Sequence, residues 1–306
     1  SDGKQYPIEV LYGRASQPRE RITDRSMATI TKALQENPDS SILVFLPGQG
    51  EIIRTTDALT DWLATSKLHG VHLYPLYGNL SIEEQQMAIA PLLPEQSARG
   101  ERKVVIATNV AETSLTIEGI DVVVDSGLVR EPVFDPATGM TRLQTGKVSK
   151  ASSIQRMGRA GRLRPGRCYR LWSASQQEQL APHATAEILS ADLAPLALQL
   201  LQWGVDDPAE LSWMDPPPAG PWSQAIELLT ALGAIESTAD NLTLTPHGEA
   251  MTALAVHPRL AHLLICAVDV GETELASLLA AVLSDRDPFG QENPDITYPI
   301  AILSGE

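Results

Sequence analysis

Three short, predominantly apolar runs constrain the fold of this 306-residue chain more than any other feature. They read SILVFL at 41–46, KVVIA at 103–107 and IDVVVD at 120–125. Such runs are typical of strands that are buried on both faces of a parallel sheet. Helical apolar spacing precedes the first run at 21–36 and follows it through about residue 65. The alternation predicts an α/β fold with a parallel sheet and right-handed crossovers.

Other local signals extend this sheet. Two more strands are predicted at 6–12 and 71–76. Ser81 and Glu84 have the spacing of a capping box, which predicts that another helix begins at Ser81. Residues 128–143 combine two extended stretches with a DPATG turn and predict a β-hairpin. Because ligands bind at the carboxyl ends of the strands in such sheets, we expect a site where these strands end.

The segment QRMGRAGR at 155–162 is the most specific chemical signal in the chain. It places Arg156, Arg159 and Arg162 three residues apart, which on a helix forms one stripe. Glycines on the neighbouring row leave the backbone bare for the close approach of a ligand or another backbone. Planar guanidiniums beside bare backbone suit a polyphosphate. The alternative interpretation is a solvated basic helix.

The charge distribution favours one confined phosphate-binding surface. The net charge is -15, which by itself argues against a nucleic-acid partner. Basic and acidic residues number 11 and 17 in 1–129, 10 and 2 in 130–170, and 2 and 19 in 171–306. The three balances are therefore -6, +8 and -17. A single basic segment between acidic ones predicts local contact with phosphate and does not predict a protein that coats nucleic acid.

Three segments together resemble the helicase motifs of one family. QRMGRAGR resembles motif VI of superfamily 2 helicases, in the form of the DEAH-box (RNA helicase A-like) group. ILVFLPG at 42–48 resembles motif IV, and ATNVAETSLTI at 107–117 resembles motif V. The resemblance covers nearly the whole chain, and the bacterial HrpB-type RNA helicases are the most similar group. It implies a RecA-like parallel sheet with a β-hairpin insertion, followed by a degenerate winged-helix domain and the start of a helical, ratchet-like domain.

Changes in composition suggest where these domains meet. The second RecA-like lobe is expected at 1–175, the winged helix at 176–250 and the ratchet-like helices at 251–306. Within the middle domain we predict helices at 186–203 and 222–233. The phosphate loop GxxxxGK[ST] and the DEAH acid pair of the first lobe do not occur in this sequence. We therefore expect a piece of a larger enzyme, inactive when isolated, whose ATP and Mg²⁺ are held mainly by a first lobe outside these residues.

The resemblance also assigns roles at the nucleotide. Gln155 would place the attacking water and the γ-phosphate, and Arg159 and Arg162 would be arginine fingers. Thr113 and Ser114 would sense the γ-phosphate. The remaining two expected nucleotide contacts are less direct: Glu118 would approach the ribose, and Arg156 would contact the nucleotide or orient the helix.

The expected polymer partner is single-stranded RNA, bound without regard to sequence. Gly48, Thr108 and Asn109 are its implied contacts, because backbone N–H groups and small polar side chains bind phosphate without reading bases. The hairpin at 128–145 resembles the one that defines the RNA path in the family, although an ordinary connector is also possible. The predicted function is ATP-driven translocation on RNA, with DNA as an alternative substrate and a non-catalytic interaction module as a rival from another class.

Two further expectations concern metals and location. Cys168 and Cys266 have no metal or redox spacing, and no histidine or acidic cluster has it either, so no metal site is expected. His257 and His262 are interpreted as ordinary helix residues. The sequence has no apolar run long enough for a membrane span and no signal segment, which predicts a cytoplasmic protein.

Overall fold

The computed structural model describes residues 6–15, 17, 19–113, 115–162, 164–237, 241–284 and 295–305. The chain forms two compact units. The first unit consists of residues 1–132 and 143–184, and the second unit consists of residues 133–142 and 185–306.

The first unit is built on a parallel sheet. Its strands are β1 (Ile8–Tyr12), β2 (Ser41–Phe45), β3 (Val71–Leu76), β4 (Arg102–Ala107), β5 (Ile120–Asp125) and, after the hairpin strands β6 (Leu128–Asp135) and β7 (Met140–Lys147), β8 (Gly166–Arg170). The six strands other than the hairpin pair run parallel in the order β1-β8-β5-β2-β4-β3. The predicted α/β class, the parallel sheet and the separate β6–β7 hairpin are confirmed.

The first unit has six α-helices among the described residues. They are α1 (Ile22–Glu36), α2 (Gln49–Thr65), α3 (Ile82–Ile89), α4 (Pro94–Ala98), α5 (Lys150–Met157) and α6 (Ala174–Glu178). Of these, α1, α2, α3 and α5 contact the sheet. Side chains of β2 alternate between the two faces, as the period of a strand requires. Ile42 and Val44 join one buried cluster with residues of α1 and α2, while Leu43 and Phe45 join the cluster on the opposite face. The predominantly apolar runs therefore reflect strands that are covered on both sides.

Capping side chains set the starts of two helices, and the cap at Ser81 is the one predicted above. Ser81 and Glu84 form a reciprocal capping box at the start of α3. Ser149 accepts a hydrogen bond from the Ser152 N–H at 3.1 Å and begins α5. Both are local signals, which is why the sequence alone indicates them.

The predicted stripe of three arginines on one helix is wrong. Helix α5 ends at Met157, so Arg159 and Arg162 lie beyond it in a turn. The N–H of Arg159 bonds to the carbonyl of Arg156 at 3.1 Å, which tightens the chain after the helix. Of the two close approaches expected at the glycines, Gly161 admits another backbone, because a Cβ there would lie 2.7 Å from the carbonyl oxygen of Tyr6.

The second unit combines helices with a small antiparallel wing. Its elements are α7 (Ala194–Gln202), α8 (Ala219–Ala231), β9 (Ile235–Ser237), β10 (Leu242–Leu244), α9 (Pro246–Thr252), α10 (Pro258–Val270), α11 (Thr273–Ser284) and α12 (Thr297–Ser304). Strands β9 and β10 pair antiparallel as a wing, and α7 to α10 enclose a buried apolar cluster around Leu198 and Leu229. The predicted helix at 186–203 begins later, at Ala194, where the Asp192 carboxylate accepts the Ala194 N–H at 2.9 Å. None of the described helices is both long and apolar enough to cross a bilayer.

Candidate functional site

Two predicted RNA-contacting segments emerge side by side from the carboxyl edge of the sheet. Strands β2 and β4 are neighbours, and the N–H of Leu46 bonds to the carbonyl of Ala107 at 2.8 Å. Gly48 therefore follows one strand and Thr108 follows the adjacent one. The Thr108 hydroxyl caps a short 3-10 turn at Asn109–Ala111, and the Asn109 side chain is exposed.

Gly48 lies directly against an arginine that sequence reasoning did not single out. It is buried at the start of α2, and a Cβ at this position would lie 2.8 Å from Cζ of Arg130. Arg130 comes from β6, donates to the Thr145 hydroxyl at 3.3 Å and pairs with Glu51 at 3.4 Å. Its side chain is 37% exposed. Glycine at position 48 thus lets a half-exposed guanidinium lie over the turn after β2.

Arg156 is buried and forms ion pairs and hydrogen bonds within the first unit. Its side chain is 1% exposed, its Nε donates to Glu112 at 2.9 Å and its Nη1 donates to Asp125 at 3.0 Å. Nη1 also donates to the Leu128 carbonyl at 3.1 Å, and the guanidinium lies 4.9 Å from the ring centroid of Phe45. This arginine therefore joins the helix α5 to the segments that follow β4 and β5.

The side chain of Arg159 binds backbone carbonyls of the segment after β4. Its Nε donates to the Glu112 carbonyl at 2.9 Å, and Nη1 donates to the Leu115 carbonyl at 2.5 Å. Nη2 also contacts the Glu112 carbonyl. Burial, and then the neighbouring charge of Arg162, lower the pKa of Arg159. An arginine has five N–H donors, so these contacts leave some of its donors for another acceptor.

Gln155 and Arg162 differ from these two arginines. Both side chains are exposed, and neither has a hydrogen-bond or ion-pair partner among the residues that the structure describes. They flank the two anchored arginines in the sequence. The arrangement therefore offers one free amide and one free guanidinium on a backbone that Arg156 and Arg159 hold in place.

The other predicted nucleotide contacts fall in the loop between β4 and β5. Thr113 is exposed, and Ser114 lies outside the described residues. Glu118 is exposed and precedes β5, which places it at the amino end of that strand, whereas Thr108 and Asn109 follow the carboxyl end of β4. The structure does not bring Glu118 to the same edge as the RNA-contacting candidates.

Sequence reasoning also missed a buried lysine beside this loop. Lys103 on β4 is 1% exposed, and its ammonium donates to the carbonyls at the end of α3, including that of Ala90 at 2.7 Å. Burial lowers the pKa of Lys103 to about 8. A lysine inside an apolar strand run is the only local signal for this contact, because its acceptors lie in a different element.

Known proteins with similar sequences align with most of this chain. Residues 25–164 match the helicase conserved C-terminal domain family. The chain carries a C-terminal helicase domain. It is 42% identical over 298 residues to the ATP-dependent RNA helicase HrpB of Escherichia coli (strain K12), with 97% of this chain and 35% of HrpB aligned. It is 39% identical over 289 residues to the pre-mRNA-splicing factor ATP-dependent RNA helicase prp22 of Schizosaccharomyces pombe, with 92% of this chain and 24% of prp22 aligned.

Solved structures agree with the sequence comparison. Crystal structures of E. coli HrpB, described as a DEAH/RHA helicase and as a DExH-box NTPase, superpose with TM-scores of 0.84 and 0.81 at 40% identity. Each match covers 99% of this chain, but only 38% and 37% of the HrpB chains. This chain thus spans less than two fifths of the length of the HrpB chains that it matches. The resemblance to DEAH-box helicases of the HrpB type is confirmed.

Proposed function

We propose that this chain is the C-terminal motor half of an ATP-dependent RNA helicase, and that it supplies catalytic groups to ATP held mainly by a first RecA-like lobe. The observation that carries the proposal is the exposed guanidinium of Arg162, which has no partner among the described residues and follows two arginines anchored to the protein. A free cation held on a fixed backbone is suited to stabilise charge that develops on a transferred phosphoryl group. The names of its relatives support the substrate class.

The four motif VI side chains then divide into two kinds. Arg162 is the finger that contacts the γ-phosphate, and Gln155 orients the attacking water. Arg159 fixes the segment between Glu112 and Leu115 through their carbonyls and uses its remaining donors on phosphate. Arg156, which is buried and binds two carboxylates and a carbonyl, positions the helix and does not touch the nucleotide.

The remaining assignments follow the family resemblance. Thr113 and Ser114 sense the γ-phosphate, and Glu118 approaches the ribose. The carboxylates that hold Mg²⁺ belong to the first lobe, and the metal would neutralise charge on the β- and γ-phosphates. When the two lobes close on ATP, the exposed side chain of Arg162 can reach phosphate without first breaking a hydrogen bond or ion pair to the described residues.

Single-stranded RNA is proposed to cross the carboxyl edge of the sheet. The backbone at Gly48 and the side chains of Thr108 and Asn109 contact its sugar-phosphate chain. Arg130 adds a charged contact, since it lies over Gly48 and is partly exposed. All four groups bind phosphate or ribose and none reads a base edge in this arrangement, so binding is independent of sequence.

The domain assignment completes the proposal. Residues 1–175 act as the second RecA-like lobe, 176–250 as a winged-helix domain and 251–306 as the beginning of the ratchet-like helices. Closure of the lobes on ATP drives stepwise movement toward the RNA 5′ end in the cytoplasm. The chain alone neither hydrolyses ATP nor unwinds RNA, because the phosphate loop lies in the first lobe.

The test measures ATP hydrolysis by this chain alone and after it is supplied with a first RecA-like lobe from a DEAH-box helicase. Each preparation is assayed without nucleic acid, with single-stranded RNA and with DNA of the same sequence. The proposal expects turnover only when both lobes are present, and stimulation by RNA that exceeds stimulation by DNA, since 2′-hydroxyl contacts favour RNA.

Three other outcomes have defined meanings. Equal stimulation by DNA supports a DNA-directed helicase. Hydrolysis by this chain alone contradicts the division of ATP binding between two lobes. If the two lobes associate, as shown by gel filtration, and yet hydrolyse no ATP with RNA, the non-catalytic interaction module replaces the motor.

A further inference from the structure

Two histidines and a cysteine of the second unit converge at one point. His247 lies on α9, and His262 and Cys266 lie one turn apart on α10. One ligand atom from each residue can be chosen so that all three atoms lie within 4.8 Å of one another. Sequence reasoning expected no metal site here, because His247 and His262 are far apart in the chain and have no recognised spacing.

Two of the three distances are close to those between ligands of one tetrahedral metal ion, and the third, between His247 and Cys266, is at most 4.8 Å. With Zn–N bonds of about 2.0–2.1 Å and Zn–S bonds of about 2.3 Å, ligand nitrogens lie about 3.3 Å apart and nitrogen lies about 3.6 Å from sulfur. Nδ1 of His262 is 2.9 Å from Nε2 of His247 and 3.9 Å from Sγ of Cys266. Shifts of a few tenths of an ångström bring these two pairs to the required distances.

The surroundings and the donor types also suit a divalent transition metal. Both histidines are half-buried, so their rings have restricted positions, and Cys266 is exposed, which gives an ion access. Residues 171–306 carry a net charge of -17. Two imidazoles and one thiolate favour zinc or a similar ion over magnesium or calcium, which prefer oxygen ligands.

The helices explain how the cluster is held. His262 and Cys266 are four residues apart and therefore lie on the same face of α10. His247 follows Pro246 in the first turn of α9, and its ring packs edge-on against the ring of His262 with 5.0 Å between centroids. The alternative reading is a simple hydrogen bond between the two rings, in which a shared proton occupies the place of the metal.

We propose that His247, His262 and Cys266 form a three-ligand site for Zn²⁺ that leaves the fourth position to solvent. Binding removes the proton between the rings and the thiol proton of Cys266, because the ligands are the neutral imidazole and the thiolate. The site joins α9 to α10 and is separate from the motor residues proposed above.

The experiment titrates the 306-residue chain with Zn²⁺ in competition with a chromophoric chelator, using protein without a polyhistidine tag and with its thiols reduced. Co²⁺ then replaces Zn²⁺, and the near-ultraviolet absorption that reports a thiolate–cobalt bond is recorded. We expect one ion per chain and a thiolate–cobalt band. His247→Ala, His262→Ala and Cys266→Ser should each weaken Zn²⁺ binding by more than about 100-fold, since even second-shell losses cost about 10- to 100-fold.

Matched controls are available in the same chain. His183→Ala removes an exposed histidine, and Cys168→Ser removes a buried thiol whose pKa burial raises to about 12. Both should leave Zn²⁺ affinity unchanged, and circular dichroism without metal verifies that every variant is folded. The proposal is overturned if the wild type binds no stoichiometric Zn²⁺, if Co²⁺ gives no thiolate band, or if Cys266→Ser binds Zn²⁺ as tightly as the wild type.

Discussion

Replacement of Arg156 by methionine should destabilise the first unit strongly, although methionine retains much of the length of the side chain. The substitution removes the guanidinium that pairs with Asp125 and Glu112. Asp125 is 0% exposed and would keep only the N–H of Gly127, 2.9 Å from its Oδ1, as a hydrogen-bond partner among the described residues. The variant therefore leaves a buried carboxylate without its counter-charge. Arg162→Met is the matched control, because it removes the same group from an exposed position at which the described part of the chain offers it no partner.

The magnitude follows from the cost of breaking a buried ion pair from one side. Such changes cost about 3–5 kcal/mol, whereas surface substitutions away from special features stay within about 0.5 kcal/mol. Three hydrogen bonds from Arg156 would suggest a larger sum at about 1.5–3 kcal/mol each, but contributions within one network are not additive. We therefore expect a loss of about 4 kcal/mol. For a unit of this size, that loss corresponds to a fall in Tm of about 8–16 °C.

Urea unfolding followed by circular dichroism, together with scanning calorimetry, measures both variants against the wild type. Arg156→Met should lower the urea midpoint with little change in slope, and Arg162→Met should leave the midpoint in place. A cost below about 1 kcal/mol for Arg156→Met would refute the buried-network argument. An equal cost for Arg162→Met would show that the two arginines do not differ in the way described.

Three other predictions concern separate parts of the first unit. Because burial lowers the pKa of Lys103 to about 8, this lysine loses its proton at a lower pH in the folded chain than in the unfolded chain. The free-energy cost of burying its charge is therefore relieved as pH rises. The stability of the wild type relative to Lys103→Met should rise by about 2 kcal/mol between about pH 7.5 and about pH 10 in urea titrations, and a flat difference would contradict the shift. Gly48→Ala should displace Arg130 and weaken single-stranded RNA binding by about tenfold in fluorescence anisotropy. Unchanged RNA affinity would show that the turn after β2 does not contact RNA. The family resemblance implies that Ile89 takes the place of an aromatic residue that would pack on adenine, and on that proposal Ile89→Phe should raise the kcat/KM ratio of ATP over CTP by about tenfold in the two-lobed assembly, while an unchanged ratio would place the adenine elsewhere.

Local patterns were sufficient to predict the parallel sheet. The runs that contain Val44, Val105 and Val123 are buried on both faces, and the starts of α3 and α5 carry their own capping residues. These features depend on neighbours in the chain and on the general requirement to bury apolar strands. The helicase motifs could also be recognised, because their spelling is specific.

The different surroundings of the three motif VI arginines could not be predicted from local patterns. Equal spacing suggested one stripe, but the helix ends at Met157 and the three arginines meet different surroundings. Arg156 finds its carboxylates 31 and 44 residues earlier in the chain, a pairing that only the folded sheet creates. The metal-ligand cluster was missed for the same reason, because His247 and His262 lie on two helices that meet only after packing.

The most direct test of the proposed motor is the kcat of RNA-stimulated ATP hydrolysis by the two-lobed assembly that carries Arg162→Ala. Arg99→Ala, which removes a 65% exposed arginine outside motifs IV, V and VI, is the control. A finger that acts only in the transition state predicts a fall in kcat of about 10³-fold or more with a smaller change in KM for ATP, while the control stays near the wild type. A kcat for Arg162→Ala within about tenfold of the wild type would contradict the assignment.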